Sequence, residues 1–161
     1  MYYYKYKTKI GDLYISADDK YILSIHFSKK NDFIKKETPL IKETIKQINE
    51  YLNKERTTFD LPILITGTKF QQDIYRNLLK VGYGETISYK GLGETINKGN
   101  AARAVGGACN KNPHSIVVPC HRVISSSNDL TGYGGGLDTK IDLLKLEGIV
   151  SENGKVIVKN N

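Results

Sequence analysis

The sequence predicts an α+β protein of two small domains. Residues 1–66 form an N-terminal antiparallel sheet covered by one helix, and residues 67–161 form a mostly helical domain containing a helix-turn-helix. Three observations lead there. The first 28 residues are β-prone and partly alternating, residues 41–52 repeat apolar positions at helical spacing, and from Thr68 onward caps and short apolar stripes recur between glycine turns.

Residues 2–10 are β-prone and partly alternating until Gly11-Asp12 interrupts them. Leu13-Tyr14-Ile15 follows, Asp18-Asp19-Lys20 makes a hairpin turn, and residues 21–27 resume the pattern, giving three antiparallel strands. His26 stands between Ile25 and Phe27 and is expected to be structural or exposed rather than a ligand. Thr38-Pro39 supplies an N-cap and a first-turn proline. Ile41, Ile45, Ile48 and Leu52 then share one helical face, which should cover the sheet. Residues 61–66 read as a short strand or linker, with the domain boundary near Gly67.

Thr68-Lys69-Phe70-Gln71 is a capping box, and Phe70, Ile74, Leu78 and Val81 give the helix it opens a buried stripe, ended by Gly82-Tyr83-Gly84-Glu85. Ser88 caps a short helix with Leu92 and Ile96 on one side. Asn97-Lys98-Gly99 turns the chain, and Asn100 caps a second helix over residues 101–109, the helix-turn-helix arrangement. That second helix is built almost entirely of small residues, with Arg103 its only long charged side chain. The adjacent Gly106 and Gly107 weaken it by about 1 kcal/mol each relative to alanine. Either of two offsets accounts for this: close approach to a foreign surface, such as a groove about 6 Å wide, or tight packing inside the protein. Asn110-Lys111-Asn112-Pro113 breaks the chain, a strand bearing Cys120 follows, and residues 125–129 form a polar turn. Residues 131–136 are a glycine-rich loop with one aromatic, Tyr133. It lacks the endings of a P-loop or dinucleotide motif, so it reads either as plain loop or as backbone N–H groups offered to a flat ligand with Tyr133 on its face. Leu137, Ile141 and Leu144 define a last helix ending at Glu147-Gly148, and Val156-Ile157-Val158 adds a small strand.

Two cysteines eleven positions apart make no disulfide framework and fit a reducing compartment. There is no Cys-x-x-Cys pair, and three dispersed histidines (His26, His114, His121) give no support for a metal site. No apolar run reaches the roughly 20 residues of a membrane span, and the N-terminus lacks a signal-peptide core, so a soluble, cytoplasmic protein is expected. The net charge is +7, of which the stretch from Arg76 to Arg122 holds +5. Such a surface suits a polyanion, although the first sixty residues also carry +3 and a solvated lysine-rich surface accounts for part of it.

The chemistry concentrates in Val118-Pro119-Cys120-His121-Arg122-Val123. A thiol beside an imidazole and a guanidinium has what it needs to become a thiolate nucleophile. The plain alternative is a buried structural cysteine, since neighbours on a strand point to opposite faces. Around this stretch stand Gly84-Glu85-Thr86-Ile87-Ser88-Tyr89, Ala101-Ala102-Arg103-Ala104-Val105-Gly106, Asn112-Pro113, Tyr133-Gly134-Gly135-Gly136-Leu137 and Leu146-Glu147-Gly148. Together these pieces, in this order, resemble the O6-alkylguanine-DNA alkyltransferases, the methylated-DNA–protein-cysteine methyltransferases. The resemblance covers most of residues 68–148. The first sixty-odd residues match only in kind, as the RNase H-like domain of that family, while the second half matches its winged-helix-like domain.

The resemblance implies DNA repair by a single, stoichiometric alkyl transfer from O6-alkylguanine to Cys120, with no cofactor. A water links Cys120 to His121, and Glu147 holds His121. The Tyr89 hydroxyl faces a ring nitrogen of the base, backbone near Gly134 faces the departing oxygen, Tyr133 lies against the base, and backbone at Val123 reads the exocyclic amine. Arg103 fills the stack vacated by a flipped base, while Ala101, Ala102, Ala104 and Gly106 let the helix enter the minor groove. Asn112 ties that helix to the active-site strand, and Cys109 is a packing residue. Family members often have Ser where Gly134 stands, which bears on rate and on bulky adducts. The implied partner is double-stranded DNA containing alkylated guanine, bound by a monomer away from membranes. Three alternatives compete: a non-catalytic damaged-DNA-binding module, a cysteine hydrolase, and an alkylation sensor, which would usually carry an added zinc domain.

Overall fold

The computed structural model describes residues 1–128, 130, 133 and 135–157. The chain divides into two compact units, Met1–Leu64 with Pro113–Val117, and Ile65–Asn112 with the residues from Val118 onward. Five residues from the second half of the sequence, Pro113–Val117, thus belong to the first unit.

In the first unit, β1 (Tyr2–Thr8), β2 (Gly11–Ala17) and β3 (Ile22–His26) form the expected antiparallel meander. Gly11 takes a φ of +113°, the left-handed conformation that lets β1 return tightly as β2. The sheet has one strand more than expected: β4 (Ile34–Lys35) pairs parallel to β1, giving the order β3-β2-β1-β4. The register sets Tyr2, Tyr4 and Tyr6 opposite Ala17, Ile15 and Leu13, on one face. The outer edge of β3 is occupied at two places, by Ile22 N–H donating to Pro62 O (2.9 Å) and Ile25 N–H donating to Pro113 O (2.8 Å). Residues 61–66 thus contribute only a bridge at Ile63. Helix α1 (Pro39–Leu52) begins as expected, with the Thr38 hydroxyl accepting from Ile41 N–H, and buries Ile41, Ile45, Ile48 and Leu52 together with Tyr51. His114 is buried with Nε2 2.8 Å from Leu64 O, and burial holds its pKa down at about 4.

In the second unit, α2 (Lys69–Leu78) opens on the complete Thr68–Gln71 capping box. Its buried residues are Ile74, Tyr75 and Leu78; Phe70 and Val81, expected in the stripe, are only half-buried, and the helix stops before Val81. A short strand β5 (Ile87–Ser88) leads into α3 (Tyr89–Glu94), capped by Ser88, and then α4 (Ala102–Asn110). Asn100 is not the cap of α4. Ala101 occupies that position with no side-chain hydrogen bond. The stretch around Cys120 is also not a strand: Cys120–Arg122 form a 3₁₀ turn, and only Val123–Ile124 (β6) are extended, pairing parallel with β5. In α5 (Leu137–Leu146), Leu137 is exposed and Ile141 half-buried, whereas Leu143, Leu144 and Lys140 face inward. Ile124, Leu144, Ile149 and Val150 form a core cluster joined by Leu130 and Val156. The expected terminal strand is a single bridge, Val150 to Val156, with Val158 outside the described residues. No described helix is long and apolar enough to cross a membrane.

Candidate active site

Pro119 determines how Cys120 is presented. Its φ of −82° and ψ of 63° make an inverse γ-turn, closed by Cys120 N–H donating to Val118 O at 2.8 Å. Arg122 N–H then donates to Pro119 O at 3.0 Å, winding residues 120–122 into the 3₁₀ turn. In this turn Cys120, His121 and Arg122 are all buried, which an alternating strand would not achieve.

Glu147 collects the two basic members of the turn. It caps the C-terminal end of α5, where Gly148 takes a φ of +75° and redirects the chain. Its Oε2 accepts from His121 Nε2 at 2.7 Å and Arg122 Nη2 at 3.1 Å, and its Oε1 accepts from Arg122 Nε at 2.9 Å and Gly84 N–H at 2.9 Å. Gly84 presents that amide with a φ of +77°. Arg122 Nη1 also donates to Val81 O at 2.7 Å, and the guanidinium lies 5.9 Å from the Tyr83 ring centroid. Burial pushes the Glu147 carboxyl up, but the hydrogen bonds and charges of His121 and Arg122 outweigh it and hold it at about 2. Burial pushes His121 below its ordinary value, with Glu147 opposing in part and the Arg122 and Lys140 charges adding to the depression. The arrangement is therefore an ionised carboxylate, a charged arginine and a neutral imidazole. An ionised carboxylate only accepts, so Nε2 of His121 carries the proton and Nδ1 the lone pair.

Burial pushes the Cys120 thiol well up, and the influence of Cys109 adds to this. The Asn112 side chain and the Lys140 ammonium act in the opposite direction. Asn112 is itself buried and donates from Nδ2 to Val118 O at 2.8 Å, joining the end of α4 to the residue before Pro119. Lys140, 1% exposed, donates from Nζ to Val123 O at 2.8 Å; burial brings its pKa down to about 8 against the pull of the two cysteines.

The remaining expected residues lie on α3, on α4 and between β6 and α5. Tyr89 is half-buried at the start of α3, its ring 3.7 Å from where a Cβ on Gly106 would lie. Tyr133 stands edge-on to His121, ring centroids 6.5 Å apart, while Gly134 lies outside the described residues. Ala102, Arg103 and Ala104 are exposed on α4, Ala101 and Gly106 half-buried, and a Cβ on Gly107 would meet nothing within 4 Å. The small residues of this helix are thus divided between contact with Tyr89 and an open face. Among the described residues no group of three or more His, Cys, Asp or Glu side chains is placed to hold a metal.

Two family profiles match the chain. One, described as the ribonuclease-like domain of 6-O-methylguanine DNA methyltransferase, covers residues 1–65, and the other, its DNA binding domain, covers residues 69–149. The chain belongs to the 6-O-methylguanine DNA methyltransferase family. A methylated-DNA–protein-cysteine methyltransferase of Methanosarcina acetivorans is 37% identical over 92% of this chain and 99% of its own, and one from Haemophilus influenzae is 39% identical over 92% and 87%. A crystal structure of the Mycobacterium tuberculosis OGT in complex with DNA superposes with a TM-score of 0.86 at 37% identity, covering 91% of this chain and 92% of that one. Within this family member, Lys140 and the Gly84 amide are site groups that the sequence alone does not single out, and the Arg122 guanidinium, noted there beside the thiol, is held by Glu147. For one of them a signal exists: a lysine on the inward stripe of α5, three residues before Leu143.

Proposed function

We propose that this methyltransferase repairs alkylated DNA by moving the methyl or alkyl group of O6-alkylguanine onto Cys120, once per molecule. The observation that carries this reading is the buried Glu147–His121 pair beside Cys120, with Arg122 charge-balancing the carboxylate so that the imidazole stays a neutral base. The target carbon cannot be reached inside a duplex, so the base is flipped out while Arg103 enters the stack and the small face of α4 lies in the minor groove. His121 Nδ1 takes the Cys120 proton through a bridging water. The thiolate attacks the alkyl carbon in line, a C–S bond forms, and the C–O bond breaks with its electron pair passing to the guanine oxygen. Tyr89 and backbone near Gly134 donate to the charge that develops on the base, Tyr133 packs on its face, and the Val123 carbonyl accepts from its exocyclic amine. Lys140 adds a positive charge near the thiolate and fixes that same carbonyl.

The product is a thioether, which water does not readily cleave, so the chain is consumed. Residues 67–161 carry DNA binding and transfer, and the protein works as a cytoplasmic monomer where its thiols stay reduced. The test is intact mass after incubation with an O6-methylguanine oligonucleotide. A gain of one methyl, mapped to Cys120 and absent in Cys120→Ser, is expected; retained DNA binding with no mass gain would refute the transfer.

A further inference from the structure

We propose that Tyr83 is a positioning residue for alkyl transfer: it holds the Arg122 guanidinium and the last turn of α5 together, so that Glu147 stays divided between Arg122 and His121. It acts through Arg122 and Glu147 rather than on the reacting atoms. Three groups of the loop after α2 meet that pair. The Val81 carbonyl accepts from Arg122 Nη1 at 2.7 Å, the Tyr83 ring centroid lies 5.9 Å from the guanidinium, and the Gly84 amide donates to Glu147 Oε1 at 2.9 Å. The Tyr83 hydroxyl also donates to the Leu146 carbonyl at 3.2 Å, one residue before Glu147.

The loop that carries Tyr83 is itself closed. Glu85 Oε1 accepts from the Gly82 N–H at 2.7 Å, the Glu85 N–H donates to Gly82 O at 3.1 Å, and Gly84 takes a φ of +77° in the turn. The half-buried ring is therefore presented from a fixed backbone. A cation over an aromatic face is attracted by the ring quadrupole, and the contact favours the held position by a factor of about 2 to 30, more where the site is dry. Arg122 is only 7% exposed, which places this contact toward the dry end.

Arg122 and His121 share one carboxylate. Oε2 accepts from both, and Oε1 from Arg122 Nε and the Gly84 amide. While Arg122 is held, its charge offsets that of Glu147 and opposes a second positive charge on the imidazole. Released from the ring, Arg122 swings away, Glu147 is left to His121, and the imidazolium is favoured. The other titratable or charged groups facing His121 are Lys140 of α5, whose charge also opposes protonation, the Cys120 thiol before it in the 3₁₀ turn, and Tyr133, edge-on at 6.5 Å. A substitution at residue 83 leaves all of these in the chain, so a shift of His121 reports the Arg122–Glu147 pair. The consequence for repair rests on the proposed transfer to Cys120, but the hold on Glu147 does not.

The experiment compares the full-length wild-type chain with Tyr83→Phe, which keeps the ring, and with Tyr83→Leu and Tyr83→Met, two apolar side chains without a π face. NMR of the ring protons across pH follows His121, with His26 and His114 as internal controls, and single-turnover transfer from free O6-methylguanine base is measured on the same samples. Tyr83→Phe should titrate like wild type and transfer within about threefold of it, less than the upper range of the ring contact. The leucine and methionine variants should titrate His121 at a pH higher by about half a unit or more, roughly a threefold gain in proton affinity. Their transfer near neutral pH should fall by about 2- to 30-fold, while His26 and His114 keep their wild-type titrations. A His121 midpoint at or below the wild-type value in both variants, a rise shared by all three histidines, or a Tyr83→Phe chain that behaves like Tyr83→Leu overturns the proposal. Loss of the fold in both apolar variants overturns it too, because Tyr83 would then be a folding residue. The NMR readout stands even if no methyl transfer is detected, so failure of this inference is distinct from failure of the repair reading.

Discussion

Glu147→Gln changes one oxygen to an amide and keeps the shape. In the native chain four donors converge on the two carboxylate oxygens, from His121, Gly84 and twice from Arg122. The substituted amide offers one acceptor oxygen and an NH₂ group that is itself a donor, so at least one native donor faces another donor. If the NH₂ faces His121, Nε2 must become the acceptor, the ring proton moves to Nδ1, and the imidazole can no longer take a proton from Cys120 by that atom. Loss of a positioned base costs about 10²–10⁴-fold in rate, which sets the expected fall in single-turnover methyl transfer. Stability should fall as well. A carboxyl held at about 2 instead of 4.5 contributes roughly 3 kcal/mol. Because the folded value is the depressed one, that contribution is present above pH 4.5 and disappears as the pH falls through about 2. The assay is rapid-quench transfer from an O6-methylguanine duplex together with urea unfolding at about pH 7 and about pH 3, the second value lying inside that window. A folded variant that transfers within about threefold of wild type, far inside the span expected for a lost base, would refute the role given to the pair.

Three further outcomes are expected. Because His121 is depressed below 6.5, transfer from free O6-methylguanine base should decline in acid with a midpoint below pH 6.5; a midpoint above 6.5 would mean the imidazole is not the neutral base described. Arg103→Ala should slow repair in duplex DNA by about 10–10³-fold, the cost of leaving a vacated stack unfilled, while transfer from the free base changes by less than about twofold; equal losses on both would place Arg103 in folding instead. Gly107→Ala should raise the unfolding free energy by about 0.5–1 kcal/mol, since its Cβ meets nothing, yet weaken duplex binding measured by fluorescence anisotropy; unchanged binding would remove this face of α4 from the DNA contact.

Local signals are legible wherever one short stretch decides the structure. The alternation of residues 2–28, the Thr38-Pro39 start of α1 and the Thr68 capping box all depend on neighbours within four residues, and each element forms where expected. Expectations fail where distant contacts override a local preference. Asn100 is the better cap by residue type, yet Ala101 takes the position. The apolar run through Val118 reads as a strand, but Pro119 and the pull of Glu147 on both His121 and Arg122 suit a 3₁₀ turn. A lysine in a helix is ordinarily assigned to solvent and a leucine to the interior; the Val123 carbonyl, 17 residues from Lys140 in sequence, reverses Lys140 and Leu137. The burial of Glu147 depends on Gly84, 63 residues earlier, and no periodicity encodes such a meeting. The adjacency of Cys120 and His121 is plain in the sequence, whereas what holds the imidazole is open only to the family resemblance.

Helix α5 is fastened near both ends, by Lys140 to the Val123 carbonyl and by Glu147 to the 3₁₀ turn and Gly84. The segment between Ile124 and Leu137 therefore closes a loop between two fixed posts. Its closure entropy changes slowly with length, by roughly 0.6 kcal/mol per doubling. Changes of length in this stretch, away from Leu130 in the core cluster, therefore cost the folded state little and leave Lys140 and Glu147 on their partners. On the proposed reading, in which Tyr133 and Gly134 meet the base, substitutions in this stretch would change which lesions are accepted while Glu147 still holds His121.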